Sequence, residues 1–499
     1  MSGRSISAGS AGSVGSAGSV GSVGHAGSAA RAFVVVGLGF GDEGKGSVVD
    51  ALVRRHGATL VVRFNGGCQA AHHVVSPDGL VHCFSQFGAG TLVAGVQTHL
   101  ARFLAVDPLA LEREAAALRS VGVEDAFERL TLDPRCVVVT PFHRAINRIR
   151  ELSRGDARHG SVGLGVGEAL LDAERDGLPT LRIGDALDPA RLHATLRLLW
   201  RMKIDLAEQL THRASSGSAG AAALDHELSL LRRPEPLDQL AESLVRLVRE
   251  SGARLTDGPE LAAHDVTVFE GAQGVLLDRD HGFWPHVTPS RTTFEQARML
   301  LDDARFAGGV TRVGVLRAYA TRHGAGPFVT EDRELTATRP DVHNGAHAFQ
   351  GAFRLGWFDA VAARYALRVG GGAPALALTS LDRLSGLDAI RVCTAYEIED
   401  PPSVMLQGRL RWERRGGRAV LQDLLVAEDA SFEDRAELSA LLDRCRPVYT
   451  ELAGWRSARD AEAEAFLRFL ESPAGIGAPI TRVSWGPRAG DQIERPLAP

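Results

Sequence analysis

An α/β fold with a large, mostly parallel central sheet and flanking helices is predicted by three observations. Short β-branched runs recur along the chain, helix-length segments separate several of them, and a glycine-rich turn follows the first. The runs are FVVV (33–36), TLVVRF (59–64), CVVV (136–139), VTVF (266–269), RVGVLRAYA (312–320) and ALALTSL (375–381). Their unbroken apolar character suits strands buried on both faces. Segments 44–55, 190–210 and 357–368 read as helices.

Ahead of the first run, residues 7–24 repeat Ser-(Ala/Val)-Gly without proline, which reads as a flexible, solvated tail rather than collagen. Residues 1–30 are therefore left outside the fold. A second low-complexity patch, ASSGSAGAAA (214–223), suggests a flexible insertion near 212–236 within a single domain spanning 31–499. The net charge of −5 argues against a general nucleic-acid or membrane-surface binder, because either needs a basic excess. Five cysteines, odd in number and without C-x-x-C spacing, suit reduced thiols in the cytoplasm better than a disulfide framework or a zinc site. No apolar stretch approaches the length of a membrane span.

The turn after the first run, GLGFGDEGKGSVVD (37–50), nearly matches a phosphate-binding loop. Gly39, Gly44 and Lys45 keep the G-x-x-x-x-G-K spacing, but Gly46 stands where Ser or Thr would hold Mg²⁺. Backbone N–H groups at such a turn, with a helix dipole behind them, attract phosphate oxygens, and Lys45 would add a cation. The metal then needs another anchor. Asp42 is the nearest candidate and could instead act as a base; Ser47 is rotated about 100° around the helix. RFNGGCQAAHHVV (63–75) runs from a strand into a small-residue loop ending in His72 and His73. A histidine there reads equally as a general acid or as a surface turn residue. VTVFEGAQGVLLDRDHGFWPHVTPSRTT (266–293) places Gln273 and Thr288 where either could read a base or a phosphate. In ALTSLDRL (377–384), Asp382 could accept two N–H donors from a guanine edge.

Together, GDEGKG, FEGAQGVLLDRDHG, AYATRHGAGPFVTE and GWFDAVAARYA resemble the adenylosuccinate synthetase family from about residue 33 to 493. The resemblance implies a P-loop-NTPase-like adenylosuccinate synthetase fold and a two-step, GTP-dependent ligation: GTP phosphorylates the 6-oxygen of IMP, and an amine displaces that phosphate. It implies that Asp42 takes the ring proton and, with the Ala71 carbonyl, ligates Mg²⁺. His72 and Lys45 would serve the phosphoryl transfer. Gly41, Gly44, Lys45 and Gly46 would hold the GTP phosphates, and Asp382, Ser484, Gly486 and Pro487 the guanine. Gln69, Ser161, Gln273, Thr288 and a partner subunit's counterpart of Arg175 would hold the acceptor nucleotide in a homodimer. Arg354 and His347 are left for the amine.

Departures from the family pattern cluster at the substrate end. Gln69 replaces the usual Asn, Ala71 a glycine, SVGL (161–164) a Thr-Thr-Gly-Arg loop, and Ser380 the lysine beside guanine. AFQGAFRL (348–355) stands where the family carries two threonines, a glycine and a run of arginines that clamp aspartate; Arg354 alone remains of that run. Losing several such contacts weakens a dicarboxylate by on the order of 2–5 kcal/mol unless something substitutes. The sequence thus points to a diverged ligase with an altered amine or acceptor. Ordinary adenylosuccinate synthesis and a non-catalytic nucleotide-binding homologue remain as alternatives.

Overall fold

Ten strands form the central sheet of the computed structural model, which describes residues 30–496 apart from 214–217, 342, 348 and 428. In chain order they are β1 (Arg31–Gly37), β2 (Leu60–Arg63), β3 (Gln97–Leu100), β4 (Leu130–Leu132), β5 (Arg254–Leu255), β6 (Val266–Gly274), β7 (Gly309–Arg317), β8 (Ala375–Thr379), β9 (Ile480–Ser484) and β10 (Gln492–Glu494). Their spatial order is β10-β9-β8-β7-β1-β6-β2-β3-β4-β5, parallel throughout except for β10 at one edge.

The first apolar run lies at the heart of this sheet because both of its faces find partners. Phe33 and Val35 join one core cluster, while Val34 and Val36 join the cluster on the opposite face. Parallel pairing then carries the carboxyl ends of β1, β2, β6, β7, β8 and β9 to one edge, the place where open α/β sheets bind ligands.

Three regions differ from the sequence reading. CVVV does not enter the main sheet; Val137–Val138 pairs with Ala105–Val106 in a separate parallel ribbon. The run is cut short because Thr140 caps the helix Pro141–Arg154, accepting from the His143 N–H at 3.2 Å. Strand β7 stops at Arg317, and Ala320–His323 restarts as a hairpin arm against Phe353–Gly356. A second, mostly antiparallel sheet of five strands lies within 358–453. Its charged strands, such as LRWERR (410–415), gave no apolar run to read.

The expected loose insertion is corrected over most of its length. Ser218–Leu231 is a helix, and Glu235–Arg249 another, with residues 214–217 outside the described residues. Alanine-rich sequence is also good helix-forming sequence. Leu224 and Leu231 are buried, and the Trp200 indole N–H donates to the Leu231 carbonyl at 2.7 Å. Leu231→Ala should therefore cost about 2–4 kcal/mol, read as a lower denaturation midpoint. An unchanged midpoint would mean that this helix does not pack on the body.

Candidate active site

The loop after β1 is built around a buried carboxylate. Glu43 Oε1 accepts from the N–H groups of Gly39 (3.0 Å) and Gly41 (2.8 Å), and its Oε2 accepts from Lys45 Nζ at 2.6 Å. Gly41, Asp42 and Gly44 all have positive φ, at 89°, 59° and 85°. Successive backbone N–H groups in such a turn make an anion-binding concavity. Helix Lys45–His56 starts at Gly44 with no side-chain cap, so its first N–H groups remain open for phosphate. Thr379, at the end of β8, ties the loop down by donating to the Glu43 carbonyl at 2.6 Å. Ser47 Oγ, one position beyond the Mg²⁺ hydroxyl of a conventional phosphate loop, donates to the Gly44 carbonyl at 2.9 Å.

A cavity of about 670 Å³ opens above this loop. Among its lining residues are Asp42, Lys45, Gln69, His72, Gln273 and Asp382. The Asp42 carboxylate accepts no hydrogen bond among the described residues; burial raises its pKa, opposed by the charges of Arg317 and Lys45. His72 follows the loop after β2, and its Nδ1 lies 2.5 Å from Glu270 Oε1 on β6. Burial works against ionised Glu270, but the Arg63 charge and the His72 hydrogen bond outweigh it and hold the pKa below the usual range. Burial pushes His72 down to about 4, against the pull of Glu270. The pair is thus a carboxylate orienting a neutral imidazole, with Nδ1–H donating and Nε2 left for the cavity.

Six strand ends supply the remaining walls. The Gln69 Oε1 is buried without a partner. Gln273, in the left-handed region at φ 61°, accepts from Ser290 Oγ at 2.8 Å, and Ser290 in turn contacts Thr288. Asp382, Ser484, Gly486 and Pro487 gather at one end of the cavity, with Gly41, Gly44, Gly46 and Ala71 along its floor. His323, His343 and His347 also line the cavity, and Arg317 lies beside Thr379 at the end of β8.

Four of the expected binding residues lie outside the lining. Thr288 is buried behind Gln273, and Ser161 donates to Asn147 Oδ1 at 2.8 Å beside the lining residue Val162. Arg175 is exposed just beyond the helix Val166–Ala173. Arg354 is the main correction to the amine end. Its Nη1 pairs with Glu331 at 2.7 Å, and its Nη2 donates to the carbonyls of Gly324 (2.6 Å) and Gly326 (3.1 Å). These bonds brace the hairpin. The sequence reading missed Glu43, Glu270 and Arg317 as members of the site. A charged residue closing an apolar run was the available signal for the last two.

Fold and cavity together define a nucleotide-binding α/β protein with a carboxylate and a histidine set beside a phosphate-binding loop. A profile of the adenylosuccinate synthetase family matches residues 34–493. The chain is 32% identical over 483 residues to adenylosuccinate synthetase of Marinomonas sp. strain MWYL1, covering 92% of this chain and 97% of that protein. It is 34% identical over 480 residues to the Alkalilimnicola ehrlichii protein of the same name, covering 93% and 98%. The chain belongs to the adenylosuccinate synthetase family, GTP-dependent ligases that form carbon–nitrogen bonds. Its fold matches the fully ligated Plasmodium falciparum adenylosuccinate synthetase with a TM-score of 0.70 at 21% identity, over 93% of this chain and 99% of that one. It also matches a cyanophage S-2L succinoaminodeoxyadenylate synthetase, bound to dGMP and dATP, with a TM-score of 0.52 at 17% identity, over 94% and 97%.

Two outcomes test this geometry. Glu43→Ala leaves the Lys45 ammonium buried and unpaired, together with two N–H groups, and should cost about 3–5 kcal/mol in a denaturation experiment; a loss below about 1 kcal/mol would break the account of the loop. His72, lowered to about 4 from an ordinary 6.5, binds fewer protons folded than unfolded across that window. Its contribution is present above pH 6.5 and is lost as pH falls toward 4. Histidine-resolved NMR should place its titration near the lower value in the unliganded protein, and a midpoint near 6.5 would contradict the buried pair.

Proposed function

We propose that the chain transfers the γ-phosphoryl group of GTP to the 6-oxygen of IMP or an IMP-like nucleotide, then replaces that phosphate with an amine other than aspartate. The observation that carries this reading is a divided site. Asp42, Lys45 and the His72–Glu270 pair meet in one cavity, while the sole arginine left from the aspartate clamp, Arg354, is bound to Glu331 and two carbonyls.

In the first step Asp42, its pKa raised by burial, takes the ring N1 proton, and the 6-oxygen attacks the γ-phosphorus. The bond from that phosphorus to the β–γ bridging oxygen breaks, and GDP leaves. Lys45 and the open N–H groups at the start of its helix stabilise the transferring charge. His72 faces the same oxygens; phosphate charge beside it raises its proton affinity and makes it a donor. In the second step the amine nitrogen attacks carbon 6, the carbon–oxygen bond breaks, phosphate departs, and the nitrogen loses a proton. Gln69 and Gln273 hold the acceptor nucleotide, and Asp382, Ser484, Gly486 and Pro487 the guanine. Arg175, exposed, reaches the nucleotide site of a partner subunit in a homodimer.

Mg²⁺ fits this donor set. The Asp42 carboxylate accepts no hydrogen bond among the described residues, and Ala71 lines the same cavity. One or two protein oxygens plus substrate phosphates are the usual Mg²⁺ environment, and the ion would neutralise phosphate charge there.

Ordinary adenylosuccinate synthesis is the second reading, favoured by relatives of that name at 30–34% identity. A binding-only homologue has no use for an oriented acid–base pair. Purified protein with GTP, IMP and Mg²⁺ should release phosphate with an amine other than aspartate and give a substituted purine nucleotide by mass. Asp42→Asn should lower that rate about 10²–10⁴-fold with nucleotide affinity largely kept. An IMP–aspartate adduct at comparable efficiency would establish the ordinary reaction instead.

A further inference from the structure

Unused hydrogen-bonding capacity in the cavity is carried by Gln69 Oε1, His323 Nε2 and, with two unpaired donors, Arg317. This residue closes β7 and lines the cavity beside Asp42. Its Nη2 reaches Asp341 at 3.3 Å, but its Nε and Nη1 are buried without a hydrogen-bond partner. Buried donors left unpaired are costly, so a guanidinium in this state is completed by an acceptor that enters the cavity. Carbon 6 of a purine adjoins N1, the atom served by Asp42. An amine attacking carbon 6 therefore brings its own substituents to the wall that holds Arg317.

We propose that the amine is an amino acid with a single carboxylate and an uncharged side chain, its carboxylate held by Arg317. The inference rests on the divided-site reading above. Every other arginine or lysine in the lining already has partners within the protein. Residues 341–350, DVHNGAHAFQ, contain no lysine or arginine. Arg354 is engaged as described, Arg322 donates to the carbonyls of Ala325, Pro327 and His286, and Arg383 to those of Arg339 and Pro340. Lys45 is committed to Glu43 and the phosphates. The rest of this wall is imidazole and amide. His323 is lowered by burial, and His343 stacks on His73 with centroids 4.2 Å apart. Asn344 and Gln350 complete it with neutral polar groups. Asp341 already accepts from the N–H groups of His343 (3.0 Å) and Asn344 (3.1 Å).

The test compares three amine classes with GTP, IMP and Mg²⁺: glycine, alanine, serine and asparagine; aspartate and glutamate; ethylamine and ethanolamine. A monocarboxylate should have the highest kcat/KM. Arg317→Gln should raise its KM about 10- to 100-fold, the loss of one charge-assisted contact, with the KM values for GTP and IMP within threefold of the parent. The double variant R317Q/D341N, which removes both charges of the ion pair, guards against simple misfolding and should show the same split. Carboxylate-free amines performing as well, or an amine KM unmoved by either variant, would overturn the assignment and leave the altered-amine reading standing. Aspartate as the best substrate, or no turnover with any class, would overturn both.

Discussion

Glu43 is the contact on which the site depends. One buried carboxylate gathers two backbone N–H groups and the Lys45 ammonium, so the concave shape of the loop after β1 is held by the loop's own groups. The surrounding sequence is constrained to leave room for it. A Cβ on Gly37 would lie 2.2 Å from Glu43 Oε2, and one on Gly274 would lie 2.4 Å from Oε1 and 2.3 Å from the Gly39 carbonyl. The two glycines face each other in register at the ends of β1 and β6, where the sheet opens. They explain why a loop that resembles a phosphate-binding motif carries an acidic pair: Glu43 shapes the backbone, and Asp42, its neighbour, is turned into the cavity by a positive φ.

From that frame the cavity divides by function. The half proposed to activate an oxo group has preorganised parts, with Lys45 fixed by Glu43 and His72 fixed by Glu270. Preorganisation of this kind is what lowers a phosphoryl-transfer barrier, because the charges do not have to reorient during the reaction. The half proposed to receive the amine is built of imidazoles and amides around one incompletely paired guanidinium. Family membership accounts for the first half. The second half is where this chain departs from the family's pattern.

Much of this was legible in sequence because it depends on short-range patterns. The runs at 33–36, 59–64, 266–269, 312–320 and 375–381 all became central strands, since buried parallel strands are apolar on both faces. The loop at 37–46 and the histidine at 72 were placed together by sheet topology, which the order of motifs already implied. What could not be read depends on long-range pairing. Glu270 lies 198 positions from the histidine it orients. Arg354 looked like a ligand arginine until its hairpin supplied three acceptors, and the alanine-rich segment near 218 looked loose until Leu231 found a core. Strands of the second sheet such as LRWERR (410–415) carry too many charges to read as apolar runs.

The central claim is that the activation step is intact without the usual amine, and positional isotope exchange tests it most directly. GTP labelled with ¹⁸O in the β–γ bridge, incubated with the protein, Mg²⁺ and IMP but no amine, reports reversible cleavage of that bond. Label should appear in the non-bridging β-phosphate oxygens with the parent chain, and the exchange should vanish with Asp42→Asn. No exchange while GTP and IMP are both bound would contradict the assignment of Asp42, Lys45 and His72 to phosphoryl transfer.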